Sequence, residues 1–370
     1  MLKYGNFKYA FKTLSGRTLE QIRQEFSDLE PIDIGHFSSR HSPLSEIQKI
    51  PREDTRYLGY LIQKDVKDKR KQAKSKKEKD EFQKENTKMN EAIKIGKANH
   101  ERYLTYDHMD VYVATSMRIP FDFWNVSRFV DELFENQLLK DLHLRWFDPT
   151  QAYCEDRIDK GLVEGLMVRR ASCTIYLAQE SDTLGKDSEL ATTLAQGKPV
   201  IAYIREFKDF DQFTRTANEI LREVYPGEDE NKVAMQILQL YYPDGAWKEP
   251  KVRKWLERPD EVAFDEVLRL IFENAKKMYD KRAVTLKEYH PLGLQINLDT
   301  GVANGVIVVR SIPACAKVLR AVLLRELEFD IEETLGHPGA WLLRERLTNS
   351  VYRVVTKDKH LTNSFWNFYT

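Results

Sequence analysis

Carboxylate and hydroxyl side chains follow three short apolar segments of this sequence, and the third of these loops is the most informative. It has the sequence AQESDTLGKDSE (Ala178–Glu189) and ends in Glu189, close to the predicted start of a helix. A carboxylate beside a sugar C1′ can stabilise the ribosyl cation that forms as an N-glycosidic bond breaks, or it can attack that carbon. Glu189 is therefore a candidate catalytic residue.

The energy available to such a carboxylate is large enough to matter. At about 4 Å and an effective dielectric of about 20, its attraction to a cation is worth about 4 kcal/mol. If that energy is realised only in the transition state, it raises the rate by roughly three decades. The alternative is that Glu189 only complements the dipole of its helix, which contributes about 0.3–1 kcal/mol. The local pattern leaves both roles open.

Other polar residues of the three loops are candidates for substrate binding. The cationic residues Arg118, Arg157 and Lys186 could meet phosphate groups, which favours a nucleotide or dinucleotide over a free nucleoside. We expect Asp187 or Ser188 to cap the helix that follows the third loop. The full set of candidate substrate-binding residues is Thr115, Ser116, Arg118, Gln151, Asp156, Arg157, Asp182, Gly185, Lys186, Asp187 and Ser188.

Alternating strand-like and helical segments position these loops. Short segments rich in β-branched and aromatic residues predict four strands, at Asp110–Thr115, Leu142–Asp148, Cys173–Ala178 and Pro199–Ile204. Helices are predicted between them, at Trp124–Leu139, Arg157–Ala171 and Asp187–Gly197. This order predicts an α/β fold, a doubly wound, flavodoxin-like parallel sheet with helices on both faces. Ligands of such sheets bind at the carboxyl ends of the strands.

The composition divides the chain into four predicted regions. An N-terminal helical and basic accessory region covers residues 1–105, and the α/β domain covers residues 106–210. A helical segment follows at 211–285, and a small C-terminal α+β region at 286–370. The last region is predicted to hold two strands around a glycine-bearing turn (Leu292–Arg310) and then a helix (Ala314–Leu327). The aromatic tail (Asn363–Tyr369) favours a homo-oligomer.

The segment Lys64–Lys97 is strongly basic, with 13 Lys and Arg against 7 Asp and Glu. It contains strong helix formers but almost no apolar stripe, which predicts a solvated helix or a partly disordered linker. A protein or nucleic-acid partner could bind this arm, although aromatic side chains do not alternate with its basic ones as they do in single-strand binders.

Composition also excludes several classes of function. The 58 Lys and Arg balance 58 Asp and Glu, which argues against a polyanion binder acting through its whole surface. Cys154, Cys173 and Cys315 have no C-x-x-C spacing, and the eight histidines have no H-x-x-x-H spacing. We therefore expect no disulfide framework, no metal site and no cofactor. No apolar segment is long enough to span a membrane and no leader is apparent, which predicts a cytoplasmic protein without a membrane partner.

The segment SDTLGKDSELATTLAQGKPVIAYI (Ser181–Ile204) resembles nucleoside 2-deoxyribosyltransferases and related nucleotide N-glycosidases. In those families an Asp, a glycine-bearing loop and a Glu-Leu or Glu-Ile helix precede a GKPV strand, and the catalytic glutamate falls on Glu189. The resemblance covers residues 110–204 and implies an acidic residue in the preceding helix. Glu164 is the nearest candidate and Asp159 the alternative. Asp148, Asp156 and Glu164 would orient the sugar or protonate the base.

The sequence departs from the family pattern at two loops. Gly185-Lys186-Asp187-Ser188 stands where the family has Gly-Thr or Gly-x-Gly, and Ser116-Met117-Arg118 stands where the transferases often have an aromatic residue. The resemblance therefore leaves the base, the sugar and the choice between hydrolysis and transfer open.

TIR domains are similar too, because they share the flavodoxin-like order and a helix-borne glutamate that cleaves the nicotinamide bond of NAD. They place Ser-x-x-Trp-Cys before that glutamate, and this sequence lacks it, so a TIR-like NAD hydrolase is the second hypothesis. By analogy with family members, a nucleotide-depleting antiviral defence effector is a further prediction. Outside the enzymes, the alternative is a non-catalytic nucleotide sensor that passes a signal to partners.

Overall fold

The computed structural model describes residues 47–72, 74–106, 108–180, 183–196, 198–258, 261–289, 296–297, 302–303, 306–333 and 341–354. Five features of the sequence analysis lie outside the described residues: Asp182, the side chain of Arg157, the glycine-bearing turn within Leu292–Arg310, residues 1–46 and the tail Asn363–Tyr369. Within the described part of the chain, no helix combines the length and the apolar character needed to cross a membrane.

In the described chain, helices and strands alternate from the first strand to the fourth. The strands are β1 (Met109–Ala114), β2 (Trp146–Phe147), β3 (Ala171–Leu177), β4 (Val200–Tyr203), β5 (Ile296–Asn297), β6 (Val302–Ala303), β7 (Ile307–Val309), β8 (Phe329–Glu333), β9 (Trp341–Glu345) and β10 (Val351–Val354). The α-helices are α1 (Tyr60–Gln72), α2 (Lys76–Thr105), α3 (Pro120–Phe134), α4 (Arg157–Arg170), α5 (Leu184–Ala195), α6 (Phe210–Val224), α7 (Glu230–Tyr241), α8 (Gly245–Lys248), α9 (Pro250–Glu257), α10 (Phe264–Val284) and α11 (Ile312–Leu323).

A parallel sheet of five strands, in the order β2-β1-β3-β4-β7, forms the core. Alternate residues of each strand point to opposite faces, so Val111 and Val113 pack with α3 and α11 whereas Tyr112 and Ala114 pack with α4 and α5. Helices therefore cover both faces, and the predicted doubly wound α/β fold is confirmed.

The second strand is much shorter than predicted. The expected strand Leu142–Asp148 is extended only at Trp146–Phe147. A short 3-10 helix occupies Lys140–Leu142, and His143 takes a left-handed backbone with φ of 46°. This conformation interrupts an extended run, which the alternation of apolar residues did not reveal.

The fifth strand of the core sheet comes from the predicted C-terminal region. β7 pairs in parallel with β4, although the helices α6 to α10 separate the two strands along the chain. The stretch Leu292–Arg310 contains an antiparallel pair, β5 and β6, but its last strand belongs to the core sheet. The remaining strands form a second, antiparallel sheet in the order β5-β6-β10-β9-β8.

The basic N-terminal segment is helical and is partly packed against the domain. Ser75 caps α2, because its hydroxyl accepts from the backbone N–H of Glu78 while the Glu78 carboxylate accepts from the backbone N–H of Ser75. The second half of α2 has a buried side, although the composition of the segment predicted almost no apolar stripe. Its buried residues, spaced three and four apart, are Met89, Ala92, Gly96, Asn99 and Tyr103.

Candidate active site

Helix α5, which carries Glu189, begins earlier than the sequence predicts. The cap is Thr183, whose hydroxyl accepts from the backbone N–H of Lys186 at 3.3 Å. The prediction of Asp187 or Ser188 as the cap is therefore wrong. A threonine followed three residues later by lysine cannot form a capping box, so this start gives only a weak signal in the sequence. As a result, Glu189 lies in the second turn of α5 rather than in the first.

The carboxyl group of Glu189 is directed at the sheet. The hydroxyl of Tyr112, a buried residue of β1, donates to Oε1 of Glu189 at 2.9 Å. The other oxygen, Oε2, is buried and has no hydrogen-bond partner among the described residues. Burial, followed by the nearby charge of Glu164, raises the pKa of Glu189 to about 8. The group is therefore mostly protonated at neutral pH.

Glu164 provides a second carboxyl in the same environment. It extends from α4, is half-buried, and forms an ion pair with Lys160 at 3.6 Å. Burial raises the pKa of Glu164, and the charge of Lys160 opposes that shift. The charge of Glu164 in turn raises the pKa of Glu189, after the larger effect of burial. Of the two candidates in α4, Glu164 lies near Glu189, whereas Asp159 is exposed in the first turn.

Lys186 is buried beneath the start of α5 instead of extending to solvent. Its side chain is only 1% exposed, and its ammonium donates to the carbonyl oxygen of Leu177 at 2.9 Å. The same ammonium lies 4.7 Å from the centre of the Tyr176 ring. Its charge lowers the pKa of Glu189, although burial outweighs that effect. Lys186 is therefore a buried charge that affects the pKa of Glu189, and it does not extend to solvent where a phosphate could meet it.

The loops after β1 and β3 are joined at the point where the winding of the sheet reverses. The side-chain amide of Gln179 binds the backbone of Ser116 on both sides, accepting from its N–H at 2.6 Å and donating to its carbonyl at 2.7 Å. The hydroxyl of Ser116 lies 3.1 Å from that of Thr183. Thr115 adds a buried hydroxyl without a hydrogen-bond partner among the described residues. Open α/β sheets bind ligands at this point.

Asp148 is not brought to Glu189. Its Oδ1 accepts from the backbone N–H of Thr150 at 2.8 Å and from the Thr150 hydroxyl at 2.7 Å. The carboxylate therefore stabilises the conformation of the loop after β2. Burial raises the pKa of Asp148 to about 6. Gln151 also has a structural partner, because its Oε1 accepts from the backbone N–H of Ile50 at 2.7 Å.

The remaining predicted residues are mostly at the surface. Asp156 caps α4 by accepting from two backbone N–H groups. Arg118 is exposed, and Gly185 and Ser188 are exposed on the outer side of α5. Asp187 is half-buried and accepts from the Tyr176 hydroxyl at 3.0 Å. None of these contacts brings the five residues to the Glu189 carboxyl.

Sequence reasoning missed Tyr112 and Gln179. The alternation in DVYVAT could have shown that Tyr112 points to the face opposite Val111 and Val113, where α5 packs. Gln179 carried no signal, because its partner Ser116 is 63 residues away along the chain. The sequence also did not indicate a cavity of about 390 Å³ at the carboxyl ends of β3, β4 and β7, which contains Glu180 but not Glu189.

No family model, curated protein or solved structure matches this chain. Within the described ranges, no group of three or more His, Cys, Asp or Glu side chains is arranged to hold a metal ion.

Proposed function

We propose that this chain cleaves the N-glycosidic bond of a nucleoside, nucleotide or dinucleotide, with Glu189 as the carboxyl group that faces C1′. The observation that carries the proposal is the state of this group. It is buried, its pKa is raised to about 8, and its Oε2 has no hydrogen-bond partner among the described residues. A buried polar atom left unsatisfied costs about 1–3 kcal/mol. A substrate that binds beside Oε2 would explain why that cost is retained.

The raised pKa fits a carboxyl that becomes charged during the reaction. A ribosyl cation at about 4 Å, with an effective dielectric of about 20, stabilises a carboxylate by about 4 kcal/mol. That energy corresponds to about three pKa units, which would lower the pKa of Glu189 from about 8 to roughly 5. Because the attraction exists only once the cation forms, it accelerates the bond cleavage instead of tightening substrate binding.

In a nucleoside or nucleotide, the electron pair of the C1′–N bond leaves with the base, and the proton of Glu189 passes to the nitrogen of that base. The Glu189 carboxylate then faces the ribosyl cation. When water attacks C1′, its proton returns to Glu189; in a transferase, a second base attacks C1′ and its N–H proton returns to Glu189. Tyr112 holds Oε1, which leaves Oε2 for the substrate. Burial, and after it the charge of Glu164, keeps the proton on Glu189 before the reaction, because both raise the pKa of Glu189.

A TIR-like NAD hydrolase would use the same carboxyl group in its ionised form, because nicotinamide leaves the pyridinium as a neutral base and takes no proton. A role in depleting nucleotides during antiviral defence is a further proposal that depends on this activity. Loss of the substrate in cells only after phage infection would support that role, and constitutive activity without toxicity would count against it.

The test is to incubate the pure protein with NAD, deoxynucleotides and nucleosides, and to measure free base by chromatography. We expect free base from at least one of these substrates. Glu189→Gln should slow its release by roughly three decades, the equivalent of about 4 kcal/mol. The matched control is Asp159→Asn, which removes an exposed carboxylate from α4 and should release base at the wild-type rate.

Two results would contradict the proposal. The first is a wild-type rate of base release from a folded Glu189→Gln variant. The second is binding of these compounds, seen as a thermal shift, without free base from any of them, which would favour a nucleotide sensor.

A further inference from the structure

The cavity at the carboxyl ends of β3, β4 and β7 is a second candidate site. It has a volume of about 390 Å³, and helices α6, α7 and α10 of the insertion between β4 and β7 contribute to its walls. Glu180 lines it after β3, Arg205 after β4 and Ser311 after β7. This is the edge at which open parallel sheets bind ligands. Because Glu189 does not line the cavity, the proposed catalytic step does not explain it.

Arg205 differs from the other arginines of the cavity wall in its lack of a charged partner among the described residues. It is half-buried, and its guanidinium lies 5.0 Å from the centre of the Phe207 ring. Within the described part of the chain it forms neither an ion pair nor a side-chain hydrogen bond. The other two arginines of the wall are paired, Arg128 with Glu219 at 3.1 Å and Arg310 with Asp280 at 2.6 Å. A half-buried guanidinium without such a partner favours an anionic ligand.

The start of α11 adds positive potential to the same cavity. Ser311 caps this helix of 12 residues, and Ser311, Ile312 and Pro313 line the cavity. The dipole of a helix favours an anion at its start. In α11 this effect comes from the dipole and the backbone N–H of Ile312, because Pro313 has no N–H and that of Ala314 donates to the Ser311 hydroxyl at 3.3 Å. The start of α11 therefore favours an anion in the same cavity as the unpaired Arg205 does.

Glu180 supplies an acceptor in the same cavity. The hydroxyls of Tyr241 and Tyr279 both donate to its Oε1, the second at 3.0 Å. Burial, together with the charge of Glu180, raises the pKa of both phenols well above 10, so they remain donors. Its Oε2 has no hydrogen-bond partner in the described part of the chain, and no ion pair joins Glu180 to Arg205 there. The cavity therefore presents a cation and an acceptor that do not neutralise each other.

We propose that this cavity binds a phosphorylated ribose compound of the size of a mononucleotide. The phosphate lies at Arg205 and the start of α11, and the ribose hydroxyls donate to Glu180. Carboxylates commonly bind ribose hydroxyls in this way at the edge of such sheets. Phe121 and Phe207 give an apolar wall for a base, and the volume of about 390 Å³ lies within the range of small-molecule sites.

The experiment uses the full chain carrying Glu189→Gln, so that no probe is consumed. Calorimetry measures the affinity of AMP, adenosine, 2′,3′-dideoxy-AMP and ribose 5-phosphate. We expect AMP to bind at least tenfold more tightly than adenosine and at least tenfold more tightly than the dideoxy compound. Comparable affinity for ribose 5-phosphate would also support the assignment, because it carries both recognised groups.

Two substitutions locate the binding. Arg205→Gln should weaken the affinity for AMP at least tenfold and leave the affinity for adenosine unchanged. Arg205→Lys should retain part of the affinity for AMP. Glu180→Gln should weaken the affinity for AMP at least tenfold and leave the affinity for 2′,3′-dideoxy-AMP unchanged. The matched control, Arg222→Gln, removes a guanidinium that is 76% exposed on α6 and should not change the affinity.

The proposal is overturned if AMP does not bind saturably at millimolar concentration, or if Arg205→Gln binds AMP as tightly as the parent does. Because Glu189 is replaced in every binding measurement, neither result tests the proposed N-glycosidic activity. Conversely, a protein that releases no base could still bind AMP through Arg205.

Discussion

The loop after β2 and the helix after β3 each bury a carboxyl group, and the two groups differ in how well they are satisfied. Asp148 receives two hydrogen bonds from Thr150, and its pKa is raised to about 6. Glu189 receives one hydrogen bond from Tyr112, and its pKa is raised to about 8. Oε2 of Glu189 has no hydrogen-bond partner among the described residues.

This difference separates a structural carboxylate from a candidate catalytic one. Asp148 contributes to folding because its acceptor is used by donors two residues away in its own loop. Glu189 is held in place by Tyr112 but retains an oxygen that nothing in the described chain uses. Burial and a raised pKa occur at both positions, so neither identifies a catalytic residue without the count of hydrogen bonds.

Asp148→Ala should have the largest destabilising effect. It leaves the backbone N–H and the hydroxyl of Thr150 without their acceptor, and Thr150 is fully buried. We expect the free energy of unfolding to fall by about 2–4 kcal/mol. Urea unfolding measures it, and Asp148→Asn, which retains an oxygen acceptor, should lose less. Loss of base release from molecules that remain folded would contradict the structural role of Asp148.

Glu189→Gln should change stability in the opposite direction. The native protein holds the Glu189 proton with a pKa of about 8, whereas the ordinary value is 4.5. As the pH rises above 4.5, the unfolded chain ionises first, so the wild type loses stability up to about pH 8. The variant has no proton to lose there. At pH 7.5 we expect this titration to make the variant more stable than the wild type by about 3–4 kcal/mol, and at pH 4.5 nearly all of that gain should be absent.

Urea unfolding of both proteins at the two pH values gives this comparison. A Glu189→Gln variant that is less stable at every pH would show that Glu189 is mainly structural, like Asp148.

Glu164→Gln should produce the smallest of these effects. The charge of Glu164 raises the pKa of Glu189, so its removal should lower that pKa. In the wild type, kcat/KM for base release should fall as the pH rises through about 8, because the reaction begins from protonated Glu189. In the variant this fall should begin at a lower pH. An unchanged pH profile would mean that the charge of Glu164 does not act on Glu189.

The sequence predicted four strands of the core sheet because each is short, apolar and followed by a polar loop. It could not assign β7 to that sheet, since the pairing of β7 with β4 spans the helical insertion. Apolar periodicity shows which residues are buried but not which strands are neighbours. The start of α5 at Thr183 was missed for a local reason, because the residue three positions later is Lys186 and a capping box was therefore absent.

The candidate site was predictable to the extent that one loop contains its residues. Glu189 was identified from its own segment, and Glu164 from the position of an acidic residue in the preceding helix. Asp148 could not be separated from them by sequence, because the donors that satisfy a carboxylate depend on the folded loop. The Glu180–Arg205 cavity was missed because the partners of Glu180, Tyr241 and Tyr279, are 61 and 99 residues away.

The most direct test of the central claim is a crystal structure of the Glu189→Gln variant with an intact nucleotide substrate bound. We expect C1′ of the sugar to lie about 4 Å from the side chain at position 189, the separation at which a carboxylate stabilises the ribosyl cation. A nucleotide found only in the Glu180–Arg205 cavity, with C1′ out of reach of position 189, would contradict the account of Glu189 as the catalytic carboxyl.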